Sequence, residues 1–330
     1  MCRHVSEEYS EKIGAYEKYH TEHGGDIQAR RDMYADMVNK YYDLATDFYE
    51  WGWGTSFHFA HRLIGETHNE SIKRHEHYLA HKLRLEPGMK VLDVGCGVGG
   101  PLREIASFSG ASITGLNNNA YQIQRGTAYN VKSGHDKSCD FMKADFMHVP
   151  MPNCSFDAIY QIEATCHAPD KFACYAEIFR LLKPGQCFGG YDWCMTHRFD
   201  PDNIEHVKIK SDIEIGNGLP DVLTTKECLE ALKKAGFEII EFADLADTAT
   251  IPWYEPFQGS YYSLSNFRSS MIGRFVTKYS IWSMEKLGLA PEGTGRTAAI
   301  LETAAHGLVA GGEQKLFTPM FFYLAKKPMR

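Results

Sequence analysis

Eight residues, Asp93-Val-Gly95-Cys96-Gly97-Val-Gly99-Gly100, set four glycines behind one carboxylate. They follow a short apolar run at residues 90–94, which reads as a buried strand, and precede a helical run at 102–108. Glycines let the chain turn sharply, and the missing Cβ atoms let a ligand approach the backbone. Gly95, Gly97 and Gly100 also spell the dinucleotide fingerprint. That reading expects an acid about 20 positions further on for the ribose hydroxyls. The chain offers Asn117-Asn118-Asn119 there, with no acid. Asp93, at the strand end, is placed to meet the ammonium of a methionine moiety. It turns the reading from NAD towards S-adenosylmethionine, and an amide at Asn117 can still hydrogen-bond two hydroxyls.

A second concentration of chemistry lies upstream. Six of the twelve residues from Phe48 to Phe59 are aromatic: Phe48, Tyr49, Trp51, Trp53, Phe57 and Phe59. Two glycines among the tryptophans argue for a loop that presents ring faces. Such faces suit a flat apolar ligand, or a carbocation that a counter-ion cannot touch without being alkylated. Each ring contributes about 0.5–2 kcal/mol towards a desolvated cation. Glu163 and His167 are four apart and share a face if that turn is helical. Histidines 75, 77 and 81 lack the His-Glu-x-x-His spacing of a zinc helix. The scattered cysteines supply no ligand set, so no metal is expected.

The elements that must position these groups alternate. Strands are expected at 90–94, 112–116, 139–143, 156–161, 187–193, 237–244 and 318–327. Helices are expected at 71–85, 102–108, 121–132, 171–182 and 225–235. The order implies a doubly wound, mostly parallel sheet. A helical spacing from Met33 to Phe48 precedes it. Phe267, Met271, Phe275 and Tyr279, then 297–311, mark a helical insert before the last strand. The chain therefore divides into a lead-in (1–30), a helical and aromatic substrate segment (31–87), a cofactor-binding α/β core (88–245) and a C-terminal segment (246–330).

Composition narrows the partners. A net charge of −7 and the lack of a basic run argue against nucleic acid. Nine scattered cysteines without a Cys-x-x-Cys pair read as reduced thiols. No apolar leader and no span of about 18 apolar residues is found. An encounter with a membrane would be peripheral, and a homo-oligomer is compatible with the sequence.

Four segments carry a closer resemblance: Tyr49-Glu-Trp-Gly-Trp-Gly-Thr-Ser-Phe-His-Phe59, Leu92-Asp-Val-Gly-Cys-Gly-Val-Gly-Gly-Pro101, Ile162-Glu-Ala-Thr-Cys-His-Ala-Pro169 and Tyr191-Asp-Trp-Cys-Met-Thr196. They resemble the signature segments of the sterol 24-C-methyltransferases, within the class I methyltransferases of Rossmann-like fold. Gly115-Leu-Asn-Asn-Asn-Ala-Tyr-Gln-Ile123 is similar too, which makes Asn117 a family trait. Asp192 and His197 depart from the family pattern.

The resemblance implies methyl transfer from S-adenosylmethionine to C24 of a Δ24 sterol, a C25 cation, a hydride shift and loss of a proton. It implies cofactor contacts at Asp93, Gly95, Cys96, Gly97, Gly99, Gly100, Asn117, Asn118, Gln122, Asp145, Phe146 and Glu163. Substrate contacts fall on Trp51, Trp53, Phe57, Phe59, Tyr191 and Trp193. Tyr49, Glu50, Glu163, His167 and Asp192 become the catalytic candidates. The family's setting implies the cytoplasmic face of the endoplasmic reticulum, or the cytoplasm. A triterpene, prenylated quinol or tocopherol acceptor, an NAD-dependent oxidoreductase and a non-catalytic lipid-binding module remain the alternatives.

Overall fold

The computed structural model describes residues 27–258 and 294–329. The helical spacing at Phe267–Tyr279 lies outside the described residues. Among the described residues three helices lead in: α1 (Ile27–Asp32), α2 (Tyr34–Trp53) and α3 (His68–Lys82), the last opened by a Thr67/Glu70 capping box. The core follows as β1 (Lys90–Val94), α4 (Gly100–Ser109), β2 (Ser112–Asn117), α5 (Ala120–Ser133), β3 (Cys139–Lys143) and β4 (Phe156–Ile162). Then come α6 (Lys171–Leu181), β5 (Leu182–Met195), α7 (Ile204–Gly216), α8 (Thr225–Lys234) and β6 (Glu238–Asp244). A short α9 (Glu255–Gln258), a long α10 (Thr294–Glu313) and β7 (Phe317–Lys326) complete the described chain.

The seven strands pair in the order β3-β2-β1-β4-β5-β7-β6. β1 to β5 are mutually parallel, and β7 runs antiparallel between β5 and β6. One apolar layer buries Leu79, Leu102, Ile105 and Met320 on one side of the sheet. The other buries Tyr175, Ile178, Leu181 and Leu232 under α6 and α8. The chain leaves β1 for β2 on one side and returns to β4 on the other. The carboxyl ends of β1 and β4 thus flank a topological switch point, where open α/β sheets hold ligands.

The mostly parallel α/β sheet with N-terminal helices and a late helix before the final strand is as expected. Two local readings need correction. The aromatic segment is not a loop from its start: α2 runs through Gly52 to Trp53, and the break falls at Gly54 with φ of 79°. An isolated glycine costs a helix only about 1 kcal/mol, which the surrounding contacts override. Helix α7 was not expected either; it packs against α10 through Gly216 and Gly307, where the two backbones come close. The eight described cysteines are free thiols.

Candidate active site

A pocket opens over the carboxyl ends of β1 to β4. Each strand end delivers one part of its wall. β1 gives Asp93 and the glycine turn, β2 gives Asn117 and Asn118, the segment after β3 gives Asp145 and Phe146, and β4 leads to Glu163. Helix α2 lies across the top and contributes Tyr34, Val38 and Tyr42.

The glycine turn is built by close approach. Gly95 has φ of 77°, and a Cβ there would stand 2.3 Å from Ala164 Cβ. Gly97, at φ of 54°, faces the Phe57 ring. Gly99 and Gly100 do not line the pocket. Gly99 is the left-handed cap of α4, and Gly100 passes so close to Thr55 that a Cβ would lie 2.1 Å from its carbonyl oxygen. They let the 54–60 segment settle on the turn.

Asn117 also serves the turn. Its Nδ2 donates to Gly97 O (3.2 Å) and Gln122 Oε1 (2.8 Å), and its Oδ1 accepts from Asn118 N (2.9 Å). Gln122 in turn donates to Thr46 Oγ1 on α2 at 3.0 Å. This amide is thus engaged inside the protein while it lines the pocket. Asp145 accepts from the Tyr34 hydroxyl and, at 2.8 Å, from Met147 N.

Asp93 differs from these satisfied groups. It is 2% exposed, and its Oδ2 has no hydrogen-bond partner among the described residues. Burial pushes its carboxyl from 3.8 up to about 7, with the nearby Tyr160 hydroxyl opposing the shift. A buried acceptor of this kind calls for a donor or cation.

Glu163 sits at φ of 55°, in a turn rather than a helix. Its Oε1 accepts from Phe59 N (2.7 Å) and its Oε2 from Trp193 Nε1 (2.8 Å). Burial raises this carboxyl to about 8, although the His58 charge and both hydrogen bonds pull it back. His167 lies in the short 3-10 turn Thr165–His167 and lines the same pocket. Its Nδ1 faces Gly218 O at 3.2 Å and its Nε2 faces the Tyr42 hydroxyl at 3.0 Å. A carbonyl only accepts, so Nδ1 carries the proton and Nε2 accepts from Tyr42. Burial lowers the ring to about 4, which keeps it neutral near pH 7. Glu163 and His167 share the pocket but not a hydrogen bond.

His58, which sequence reasoning passed over, lines the pocket and donates to Phe59 O (2.7 Å) and Glu76 Oε1 (3.1 Å). Burial alone would lower its pKa, but the Glu76 hydrogen bond and charge raise it. Ser56 also donates to Glu76 at 2.8 Å, so α3 ties the 54–60 segment down.

Beyond Tyr42 the rings form a continuous string. Tyr42 neighbours Tyr49 at 6.4 Å, Tyr49 neighbours Phe57 (5.5 Å) and Trp53 (5.6 Å), and Trp53 neighbours Phe257 (5.8 Å). Phe59 then meets Phe257 (5.8 Å), Trp253 (5.3 Å) and Trp193 (5.9 Å). Trp253 and Phe257 carried no signal in the sequence, being about 200 positions from their partners. Trp51 lies in α2, with its side chain outside the described residues.

Three expected site residues stand elsewhere. Glu50 pairs with Arg125 (2.5 Å) and accepts from the Tyr129 hydroxyl (2.6 Å), both on α5. Asp192 is fully buried, and its Oδ2 accepts from Lys171 Nζ (2.7 Å), Thr165 Oγ1 (2.8 Å) and Tyr175 OH (3.0 Å). Tyr191 stacks on His75 at 3.6 Å inside the core. In each case a nearby side chain engages the residue, and none of the three lines the pocket over β1 to β4. The departure at His197 is exposed beyond β5. Among the described residues no three His, Cys, Asp or Glu gather as metal ligands, and no helix is long and apolar enough to cross a membrane.

Residues 92–188 match a family model described as a methyltransferase domain, and residues 264–329 match one described as the sterol methyltransferase C-terminal domain. A cycloartenol-C-24-methyltransferase of Arabidopsis thaliana is 61% identical over 316 residues, covering 96% of this chain and 94% of that one. A sterol 24-C-methyltransferase of Yarrowia lipolytica is 50% identical over 92% of this chain and 82% of its own length. Among solved structures, a putative sarcosine dimethylglycine methyltransferase from Galdieria sulphuraria superposes with a TM-score of 0.70. It is 21% identical and covers 88% of this chain and 99% of that chain, a likeness of fold.

Proposed function

The chain belongs to the sterol 24-C-methyltransferase family, and on that premise we propose that the pocket binds S-adenosylmethionine and the aromatic string receives the side chain of a Δ24 sterol. The protein is a methyltransferase of sterol biosynthesis. When bound, S-adenosylmethionine supplies an electrophilic methyl group on a sulfonium. The observation that carries the placement is the orphaned Oδ2 of Asp93 beside a turn that only glycines fit. An ammonium satisfies that oxygen and restores Asp93 to its charged form. Gly95 and Gly97 give the cofactor its close approach, and Tyr34 and Phe146, 6.2 Å apart, flank the end marked by Asp145.

The alkene is itself the nucleophile, so the protein needs no base to begin the reaction. It must align alkene and methyl, exclude water, and tolerate the cation at C25 until a hydride shift and a proton loss discharge it. Tyr49, Trp53, Phe57 and Phe59 face that demand with ring surfaces. Glu163 fixes the junction by holding the Phe59 backbone and the Trp193 indole together.

The test is incubation with labelled S-adenosylmethionine and a panel of Δ24 and 24(28)-methylene sterols, with products identified by mass spectrometry. The expected result is a C24-methylated sterol formed together with S-adenosylhomocysteine. Label transfer only to a linear triterpene or a prenylated quinol would overturn the acceptor, and no transfer at all would overturn the reading.

A further inference from the structure

We propose that Tyr42, hydrogen-bonded to His167, is the catalytic proton acceptor of the last step; this rests on the sterol-methylating reading of the site. Along α2, Tyr34 stands at the Asp145 end of the cofactor pocket, Tyr42 about two turns further on, and Tyr49 about two turns beyond that. Tyr42 lines the pocket, packs edge-on against His167 at 5.5 Å and adjoins Tyr49 at 6.4 Å. It therefore occupies the junction where the methyl group and the aromatic string must meet.

The other candidates are spoken for. Arg125 neutralises Glu50, and Lys171 holds Asp192 in a closed buried pair. Glu163 accepts two N–H donors, and with its carboxyl raised to about 8 it is largely protonated at neutral pH. His167 is neutral, its Nδ1–H fixed on Gly218 O and its Nε2 lone pair directed at the Tyr42 hydroxyl. A C–H bond beside a carbocation is a strong acid, so a weak, poorly nucleophilic acceptor suffices. A free carboxylate at that point would risk alkylation.

After the hydride shift the cation is at C24. A C–H bond of the new methyl breaks, and its electron pair becomes the C24–C28 double bond. The proton goes to Tyr42 Oη as the hydroxyl proton of Tyr42 passes to His167 Nε2. The imidazolium keeps its Nδ1–H on Gly218 and returns the extra proton to solvent as product leaves.

Two variants test this. Tyr42→Phe removes the accepting oxygen. His167→Gln can keep an amide oxygen for the Tyr42 hydroxyl but cannot take up its proton. Methyl transfer precedes proton loss, so S-adenosylhomocysteine should still form in a single turnover. The 24(28)-methylene share of product should fall about 100-fold or more, giving way to 24-methyl-24-hydroxy or tetrasubstituted Δ24 sterol from the trapped C24 cation. Binding of S-adenosylhomocysteine by calorimetry checks that each variant is folded. An unchanged product ratio in the two variants would overturn the proposal. So would single-turnover S-adenosylhomocysteine formation that falls as far as the methylene product, because a merely structural role predicts that pattern. Wild-type enzyme that methylates no sterol would instead sink the functional reading itself.

Discussion

The two halves of the site are built on opposite plans. The cofactor half is short-range: residues 93–100, 117–122 and 144–146, each at the end of a parallel strand. Its tolerances are set by backbone contacts, as at Gly95 and Gly100. The acceptor half is long-range, drawing Trp53, Phe59, Trp193, Trp253 and Phe257 into one string held by ring packing. Function should therefore be concentrated in single positions in the first half and distributed over many in the second.

The largest effect is expected at the glycine turn. Gly95→Ala adds left-handed strain of about 1–2 kcal/mol and drives a Cβ within 2.3 Å of Ala164. Overpacking of that kind typically adds about 1–3 kcal/mol. The urea midpoint should fall and S-adenosylhomocysteine binding should be lost. Gly134→Ala is the control, because φ there is 74° but nothing lies within 4 Å. It should lose stability by strain alone and bind S-adenosylhomocysteine normally. Equal binding by the two variants would remove close approach as the principle of this half.

Next comes Asp93. Removing the charged partner of a bound ammonium costs about 1.5–3 kcal/mol, so Asp93→Asn should weaken S-adenosylhomocysteine binding about 10–100-fold. The pH dependence gives a finer reading. The folded carboxyl is raised from 3.8 to about 7. Its contribution to unliganded stability is thus fully present below about 4 and is lost as the pH rises through about 7. Ligand binding works in the other direction, because the ammonium favours the carboxylate. Affinity should rise between pH 6 and 8, with proton release seen by calorimetry in buffers of different ionisation enthalpy. Asp93→Asn should flatten that profile; an equally steep one would move the titration to Glu163.

The same contrast explains what the sequence disclosed. Strand β1, the glycine turn and Asp93 are contiguous, so their spacing alone exposed them, and alternating strands and helices revealed the parallel sheet. Asp145 and Phe146 came only with the family resemblance; both line the pocket just after β3. Tyr42 and His58 were missed because one was hidden in an ordinary helical spacing and the other in a row of rings. Their partners, His167 and Glu76, come from other elements. The surroundings of Asp192 were illegible for a related reason: no local pattern announces that Lys171, Thr165 and Tyr175 converge on it. Gly52 was read as a breaker, whereas the helix ends two residues later, where Gly54 takes a positive φ.

The smallest single effects belong to the aromatic string, and they decide whether it is distributed. Each aromatic pair contributes about 0.5–1.5 kcal/mol beyond burial, so Trp53→Leu should raise the sterol KM about 2–10-fold. Cofactor affinity should change little, because Trp53 touches Tyr49 and Phe257 rather than the glycine turn. Phe59→Leu should cost somewhat more, since that ring meets Phe257, Trp253 and Trp193. Trp53 and Phe257 are in contact at 5.8 Å, so their double variant should be less damaging than the two single losses added together. Strict additivity would mean that the rings act one by one on the substrate. A loss of 1000-fold or so from Trp53→Leu alone, far beyond one ring pair, would make the acceptor half as concentrated as the glycine turn.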